Sequence, residues 1–226
     1  MSFHRTRVKI CCMMTEQDRD LAIGSGADAL GFVGPMPSGP GPITDELSQR
    51  LVRGVRPPVA SVLLSSESRA EALHAHATRV GTSVLQIVRH ITPEESASLH
   101  AMARTYGIFQ VIHVEDDGVL DLIDLYADYV DAFLLDSGKP GSATPTLGGT
   151  GHVHDWTISR RFVETSPKPV FLAGGLRPDN VSDAIRTVRP FGVDLCSGIR
   201  TDGQLDPRKL AAFMTAVRDT DRSLSA

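Results

Sequence analysis

The sequence lacks long apolar runs and an excess of basic residues. No apolar run in its 226 residues reaches the about eighteen residues that a membrane-spanning helix needs. Lys and Arg number 23 against 27 Asp and Glu, so the net charge of −4 gives no general attraction to a nucleic-acid backbone. We therefore expect neither a membrane nor a nucleic acid among the partners.

Cysteines and targeting signals are also scarce. The chain has three cysteines, an odd number, and Cys11 and Cys12 are adjacent, which is a poor basis for disulfides and typical of a reducing compartment. The N-terminal letters MSFHRTRVKICC contain neither the apolar core nor the small-residue cleavage site of a signal peptide. These features predict a cytoplasmic protein.

The composition is that of a globular domain, with 41% hydrophobic and 22% charged residues. A chain of this length can bury a sizeable core without disulfides or a structural metal. Since no linker or shift in composition divides it, we expect residues 1–226 to form a single domain.

Eight short apolar runs alternate with longer amphipathic segments, and their starts lie roughly 20 to 40 residues apart, as in βα repeats. Such alternation predicts a parallel sheet, and eight units predict an α/β fold of the (βα)8 TIM-barrel type. The alternative is an open doubly wound sheet, which would normally carry a glycine-rich fingerprint after the first strand, where the letters CCMM stand. The predicted strands are Arg7–Cys11, Ala29–Val33, Val59–Leu64, Val84–Val88, Phe109–Val114, Val130–Leu135, Val170–Ala173 and Gly192–Cys196.

In a (βα)8 barrel the active site lies at the carboxyl ends of the strands. Side chains alternate along a strand, so Lys9 and Cys11 share the inward face of the first strand if Val8 and Ile10 pack against helices. Asp194 holds the matching position on the last strand, which predicts a buried Lys9–Asp194 ion pair. The ammonium would favour the thiolate of Cys11 as a base or nucleophile. The alternative for Cys11 is a small buried hydrophobe.

The sixth predicted strand ends in a carboxylate, Asp136, which could serve as a general acid or base. Its alternative role is to cap the turn that Ser137 and Gly138 begin. The glycine-rich stretch that follows is long enough for a lid or substrate clamp, or for a surface loop.

Two glycine turns follow the seventh and eighth strands, at the positions where barrel enzymes often bind phosphate with main-chain N–H groups. The alternative is two ordinary tight turns. The candidate substrate- and phosphate-binding residues are four residues of these turns together with the predicted ion pair: Lys9, Gly174, Gly175, Asp194, Ser197 and Gly198.

The histidines give no metal pattern. His152 and His154 lack a third ligand at a recognisable spacing, so no metal site is predicted. We place His74 and His76 on the surface of a helix and assign them no role.

Several stretches together resemble phosphoribosylanthranilate isomerase, the barrel enzyme of the tryptophan pathway. They are VKICC, SGADALGFV, LLDS, GGTGHVHDW, LAGGLRPDNV and VRPFGVDLCSGI. The resemblance implies an Amadori rearrangement of an N-(5-phosphoribosyl)amine without a cofactor, by a monomer or homodimer. It implies that Cys11 is the base, that Asp136 is the acid, and that the glycine turns bind the phosphate.

The sequence departs from the family on the side of the aglycone, the amine substituent of the sugar. Cys12 replaces the usual glycine, and Gly41 stands where an arginine contacts the anthranilate carboxylate. The family has a histidine after the fourth strand, and this chain has none in that segment, which ends in Val88 and Arg89. His152 stands where the family has a lysine. Arg89 or the following His90 could supply a substitute charge.

These departures keep three further hypotheses open. The chain could act on a different phosphoribosylated aglycone, or bind a phosphosugar without catalysis. It could also be a barrel lyase or aldolase, with Lys9 as the Schiff-base lysine.

Overall fold

The computed structural model describes residues 5–37, 39–137 and 155–225. Eight parallel strands follow one another in chain order around a closed barrel, and β1 pairs with β8 to complete it. This confirms the predicted (βα)8 fold and excludes the open sheet. The strands are β1 Arg7–Ile10, β2 Ala29–Val33, β3 Ala60–Ser65, β4 Val84–Ile87, β5 Gly107–His113, β6 Ala132–Asp136, β7 Val170–Leu172 and β8 Gly192–Leu195.

Helices follow the strands on the outside of the barrel, and several begin at a threonine that caps the first turn. The hydroxyls of Thr15, Thr44 and Thr92 each accept a hydrogen bond from a backbone N–H three residues later. The helices are α1 Glu16–Gly24, α2 Asp45–Val52, α3 Ala70–Val80, α4 Pro93–Met102, α5 Asp121–Tyr126, α6 Trp156–Thr165, α7 Val181–Val188 and α8 Pro207–Ser225.

Because successive side chains along each strand point to opposite faces, the apolar residues form two layers, one inside the barrel and one between the barrel and its helices. In β1, Val8 and Ile10 belong to the layer between barrel and helices, as predicted, whereas Cys11, the residue after the strand, belongs to the barrel interior. In β6, Ala132 and Leu134 face the interior in the same way. The strand ends are therefore the points at which interior side chains reach the open mouth of the barrel.

One prediction about a helix is wrong. His76 of α3 is buried, because its ring lies between two polar partners. Its Nδ1 is 2.8 Å from Ser65 Oγ, and its Nε2 is 3.1 Å from Asp45 Oδ1. The histidine joins β3 and the start of α2 to α3.

No helix in residues 5–37, 39–137 and 155–225 has the length and apolar character required to cross a bilayer. The same ranges hold no cluster of three or more His, Cys, Asp or Glu arranged for a metal ion. His152 and His154 lie outside the described residues.

An ion pair joins the first and last strands inside the barrel. Lys9 and Asp194 are direct partners in the β1–β8 register, and Lys9 Nζ donates to Asp194 Oδ2 at 2.9 Å. Burial alone would lower the pKa of Lys9, but the attraction of Asp194 outweighs it and raises the pKa above its usual value. Lys9 therefore remains charged, and the predicted pair is present.

Removing one partner of this pair should be costly. We expect Lys9→Met to lower the free energy of unfolding by about 3–5 kcal/mol, because Asp194 is left as an unpaired buried carboxylate. The loss should grow with pH, since protonation of Asp194 relieves it at low pH.

Urea unfolding at several pH values measures this effect. The matched control is Lys9→Met/Asp194→Leu, which removes both charges and should recover at least half of the loss. A single variant as stable as the unchanged protein would show that the pair does not hold the barrel seam.

Candidate active site

The carboxyl ends of the strands surround a pocket at the barrel mouth. It holds about 690 Å³ of space, its open mouth included. Residues from seven of the eight strands or from the loops after them contribute to its wall, and β5 is the exception among the described residues. The lining residues are Cys11, Cys12, Val33, Met36, Gly39, Pro40, Leu64, Gln86, Val88, Asp136, Ala173, Gly174, Gly175, Leu176, Asp194, Leu195, Cys196 and Ser197.

Cys11 enters this pocket directly after β1. Its backbone N–H donates to the Leu195 carbonyl at 2.9 Å, which continues the pairing with β8. Space for its side chain comes from Gly31 of β2, since a Cβ atom there would lie 2.8 Å from Cys11 Sγ and 3.2 Å from Lys9 Nζ. A glycine at this position thus lets the thiol and the ammonium lie side by side.

Lys9 itself does not line the pocket. It is fully buried beneath it and bound to Asp194, and the electrostatic attraction of Cys11 contributes, after that of Asp194, to its raised pKa. A Schiff-base lysine must reach the substrate as a free amine. The charged, buried ammonium is therefore a poor candidate for the lyase or aldolase hypothesis.

Asp136 ends β6 at the same mouth. Its Oδ1 accepts a hydrogen bond from the backbone N–H of Ser137 at 2.7 Å. Burial raises the pKa of Asp194, repulsion from Asp136 adds to the rise, and Lys9 opposes it. The carboxylates of Asp136 and Asp194 therefore share one pocket with the thiol of Cys11.

The two predicted phosphate turns lie against each other. Gly174 and Gly175 have φ values of +84° and +63°, in the left-handed region that favours glycine. Asn180 supports this turn by donating to the Gly175 carbonyl at 3.0 Å. Gly198 packs against Leu176, the residue after Gly175. The contact is so close that a Cβ atom at position 198 would collide with the Leu176 carbonyl oxygen.

Because the two turns pack closely, only some of their residues face the pocket. Gly174, Gly175 and Ser197 line the pocket, whereas Gly198 lies behind it as a packing residue. The pocket-facing three come from loops after two neighbouring strands, β7 and β8, so their main chains can approach one anion together.

At two positions where the sequence departs from the family pattern, Cys12 fills the space beside Gly41. A Cβ atom on Gly41 would lie 2.7 Å from Cys12 Cβ and 3.3 Å from its Sγ, and Gly41 has a φ of +79°. Cys12 has a φ of +65°, and its Sγ lies 3.5 Å from the Pro40 carbonyl oxygen. The two departures from the family pattern therefore depend on each other, because the Cys12 side chain occupies the space that a side chain at position 41 would need.

The remaining residues predicted for the aglycone region do not all line the pocket. Val88 lines the pocket, but Arg89 is exposed and outside the lining, and its carbonyl accepts from Gln110 Nε2 at 2.9 Å. His152 lies outside the described residues. The described lining contains no Lys or Arg, so a substitute charge from Arg89 is not in place there.

Gln86 is a lining residue that the sequence reasoning missed. It is 3% exposed, and its Oε1 has no hydrogen-bond partner among residues 5–37, 39–137 and 155–225. Asp194 Oδ1 is unpaired within the same part of the chain. Buried acceptors of this kind need donors, and a bound ligand can supply them. The available signal was strand alternation, which puts Gln86 on the same face as Val88.

Comparison with known proteins identifies the chain's relatives. A sequence model of the N-(5'-phosphoribosyl)anthranilate (PRA) isomerase family matches residues 8–216. The chain belongs to this family. Residues 8–216 include all eight strands except Arg7 of β1, so the family match covers nearly the whole barrel.

Curated PRA isomerases resemble the chain over nearly their whole length. N-(5'-phosphoribosyl)anthranilate isomerase 2 of Methanosarcina mazei is 35% identical over 210 residues, which are 92% of each protein. The isomerase of Haloarcula marismortui is 34% identical over 199 residues, 88% of this chain and 89% of the relative.

Solved PRA isomerase structures have the same fold. The enzyme of Thermus thermophilus superposes with a TM-score of 0.80 at 26% identity, covering 95% of this chain and 99% of the other. A second isomerase, in complex with reduced 1-(o-carboxyphenylamino)-1-deoxyribulose 5-phosphate, gives a TM-score of 0.78 at 25% identity with the same coverage.

The contact between Cys12 and Gly41 predicts that substitutions at these two positions have coupled effects on stability. Gly41→Arg alone should lower the free energy of unfolding by about 1–3 kcal/mol, because the new side chain collides with Cys12. Cys12→Gly/Gly41→Arg should regain at least about 1 kcal/mol of that loss, because the obstructing side chain is gone.

Urea denaturation of the single and double variants measures the coupling, with Cys12→Gly alone completing the cycle. Additive effects of the two substitutions would contradict the steric account of this wall.

Proposed function

We propose that this chain catalyses the Amadori rearrangement of N-(5'-phosphoribosyl)anthranilate in tryptophan biosynthesis. The observation that carries the proposal is one pocket whose wall includes a thiol, Cys11, a carboxylate, Asp136, and residues of both glycine turns. Curated relatives at 35% identity are named for the same isomerase.

The reaction begins with opening of the ribose ring. In the proposed step, the Asp136 carboxyl donates a proton to the ring oxygen, the bond from C1' to that oxygen breaks, and the amine lone pair forms a C1'=N iminium. Cys11, as the thiolate, then removes the proton from C2'. The released electron pair forms a C1'=C2' double bond and neutralises the iminium nitrogen.

The resulting enolamine completes the isomerisation by moving a proton. The C2' hydroxyl loses its proton, C2' becomes a carbonyl, and C1' gains a proton, which gives a 1-amino-1-deoxy-ketose. Atoms and electrons balance because substrate and product are isomers. The chain's contribution is an acid and a base held on one substrate, with the Lys9 ammonium beside the base.

The phosphate is proposed to bind at the two glycine turns. Since the described lining contains no Lys or Arg, its anion-binding groups are main-chain N–H groups of Gly174, Gly175 and Ser197. Gly198 contributes indirectly by letting the turns pack together. Asp194 Oδ1 and Gln86 Oε1 remain as acceptors for substrate hydroxyl or amine protons.

The aglycone is proposed to lie against the apolar part of the pocket. Val33, Met36, Leu64 and Val88 offer a surface suited to an aromatic ring. The absence of Lys and Arg from the described lining favours one second candidate, an isomerase for a phosphoribosylamine whose aglycone carries no carboxylate.

Several expectations stay part of the proposal. The ligand is a small phosphorylated molecule and no cofactor is required. Residues 1–226 form a single domain, active as a monomer or homodimer. The cytoplasm remains the proposed location, since the chain has an odd number of cysteines, two of them adjacent.

Replacing the proposed base or acid should abolish most of the turnover. We expect Cys11→Ser and Asp136→Asn each to lower kcat/KM about 10²- to 10⁴-fold, the usual contribution of a positioned acid or base. The measurement is the loss of substrate fluorescence as N-(5'-phosphoribosyl)anthranilate is consumed.

The matched control for the carboxylate is Asp219→Asn, on the exposed surface of α8, which should leave kcat/KM unchanged. Full turnover by both active-site variants would refute the assigned roles. Binding of the substrate without turnover by the unchanged protein would instead support a non-catalytic phosphosugar-binding protein.

The aglycone assignment has a separate test. We expect kcat/KM for N-(5'-phosphoribosyl)anthranilate to equal or exceed the value for N-(5'-phosphoribosyl)aniline, which lacks the carboxylate. A preference of tenfold or more for the aniline compound would favour the second candidate, because the described lining gives an aglycone carboxylate no cationic partner.

A further inference from the structure

Two thiols that the proposed reaction does not use lie in contact at the barrel mouth. Cys12 follows β1 and Cys196 follows β8, and their Sγ atoms are 2.6 Å apart. Both residues are free cysteines, with Cys12 buried and Cys196 half-buried. This separation is within about 0.6 Å of a disulfide bond length.

We propose that Cys12 and Cys196 form an oxidisable dithiol, which a peroxide converts into a disulfide across the β1–β8 seam. The Cys196 thiolate attacks one peroxide oxygen, the O–O bond breaks, and Cys196 becomes a sulfenic acid. The Cys12 thiol then attacks the sulfenic sulfur and displaces its oxygen as water. In sum, two thiols and one hydrogen peroxide give one disulfide and two waters.

The surroundings assign different roles to the two sulfurs. A hydrogen bond with Cys12 and the charge of Arg200 lower the pKa of Cys196, which makes it the better nucleophile towards peroxide. Hydrogen bonds with Cys11 and Cys196, together with burial, raise the pKa of Cys12. Cys12 therefore fits the second step, as the resolving thiol.

The two cysteines are far apart in the sequence, so a disulfide between them would constrain a large part of the chain. Residues 12 and 196 are 184 positions apart, so the disulfide would close almost the whole barrel into one loop. A link of this kind restricts the unfolded chain strongly. It would also connect the residue next to Cys11 with the residue next to Ser197.

The test treats the reduced full-length protein with one equivalent of hydrogen peroxide. Thiols counted after denaturation should fall from three to one, and the mass should fall by two hydrogens, about 2 Da. The midpoint of thermal unfolding should rise by at least about 5 °C and return to its initial value after reduction. None of these readouts depends on isomerase activity, so the proposal stands or fails separately from the proposed function.

The linkage must be assigned to the correct cysteine. Cys11 and Cys12 lie on one tryptic peptide, residues 10–19. In a Cys11→Ser variant, the non-reduced digest should still contain this peptide joined to the one that carries Cys196. Cys196→Ser, and Cys196→Ala should the serine variant fold poorly, should give no internal disulfide and no thermal shift.

Three results would overturn the proposal. They are an unchanged thiol count at a peroxide dose that oxidises free cysteine, a Cys11–Cys12 linkage, and irreversible oxidation of Cys11 with Cys12 and Cys196 unlinked.

Discussion

Closure of the barrel between its first and last strands is the constraint on which the proposed site depends. The β1–β8 pairing puts Lys9 beside Asp194 and hydrogen-bonds the Cys11 backbone to Leu195. Residues nearly two hundred positions apart thereby become neighbours. The ion pair neutralises a charge that would otherwise be costly inside the barrel, and it leaves Asp194 Oδ1 unpaired at the pocket, among the described residues.

Small residues then decide what the space above this pair can hold. Gly31 gives room for Cys11 Sγ and Lys9 Nζ, and Gly198 lets the turn after β8 rest on the turn after β7. At Gly41 the effect is opposite, because Cys12 occupies the space and keeps any side chain out. The proposed acid and base are side chains, and the proposed anion-binding groups are main-chain N–H groups. The residues that leave room for them are largely glycines.

Much of this architecture follows from the sequence, because the apolar runs of a parallel barrel are short, regular and separated by capped helices. The strand limits differ from the prediction by at most two residues, as in β6, which begins at Ala132 instead of Val130. The Lys9–Asp194 pair was also predictable, since closure of an eight-stranded barrel fixes which strands meet and alternation fixes which side chains face inward.

Contacts between loops could not be predicted in this way. The packing of Cys12 against Gly41, the contact between Cys12 and Cys196, and the exposure of Arg89 depend on backbone paths that neither alternation nor composition determines. His76 was misplaced for a related reason, since its burial rests on hydrogen bonds to two other elements. Gln86, by contrast, follows the alternation rule and could have been found from it.

The most direct test of the proposed chemistry is a crystal structure with reduced 1-(o-carboxyphenylamino)-1-deoxyribulose 5-phosphate bound. We predict that the phosphate accepts hydrogen bonds from the main-chain N–H groups of Gly174, Gly175 and Ser197. We also predict that Cys11 Sγ lies about 3–3.5 Å from C2' of the ligand, with Asp136 on the other side of the sugar chain. A ligand bound with its phosphate away from both glycine turns, or with C2' out of reach of Cys11, would contradict the account.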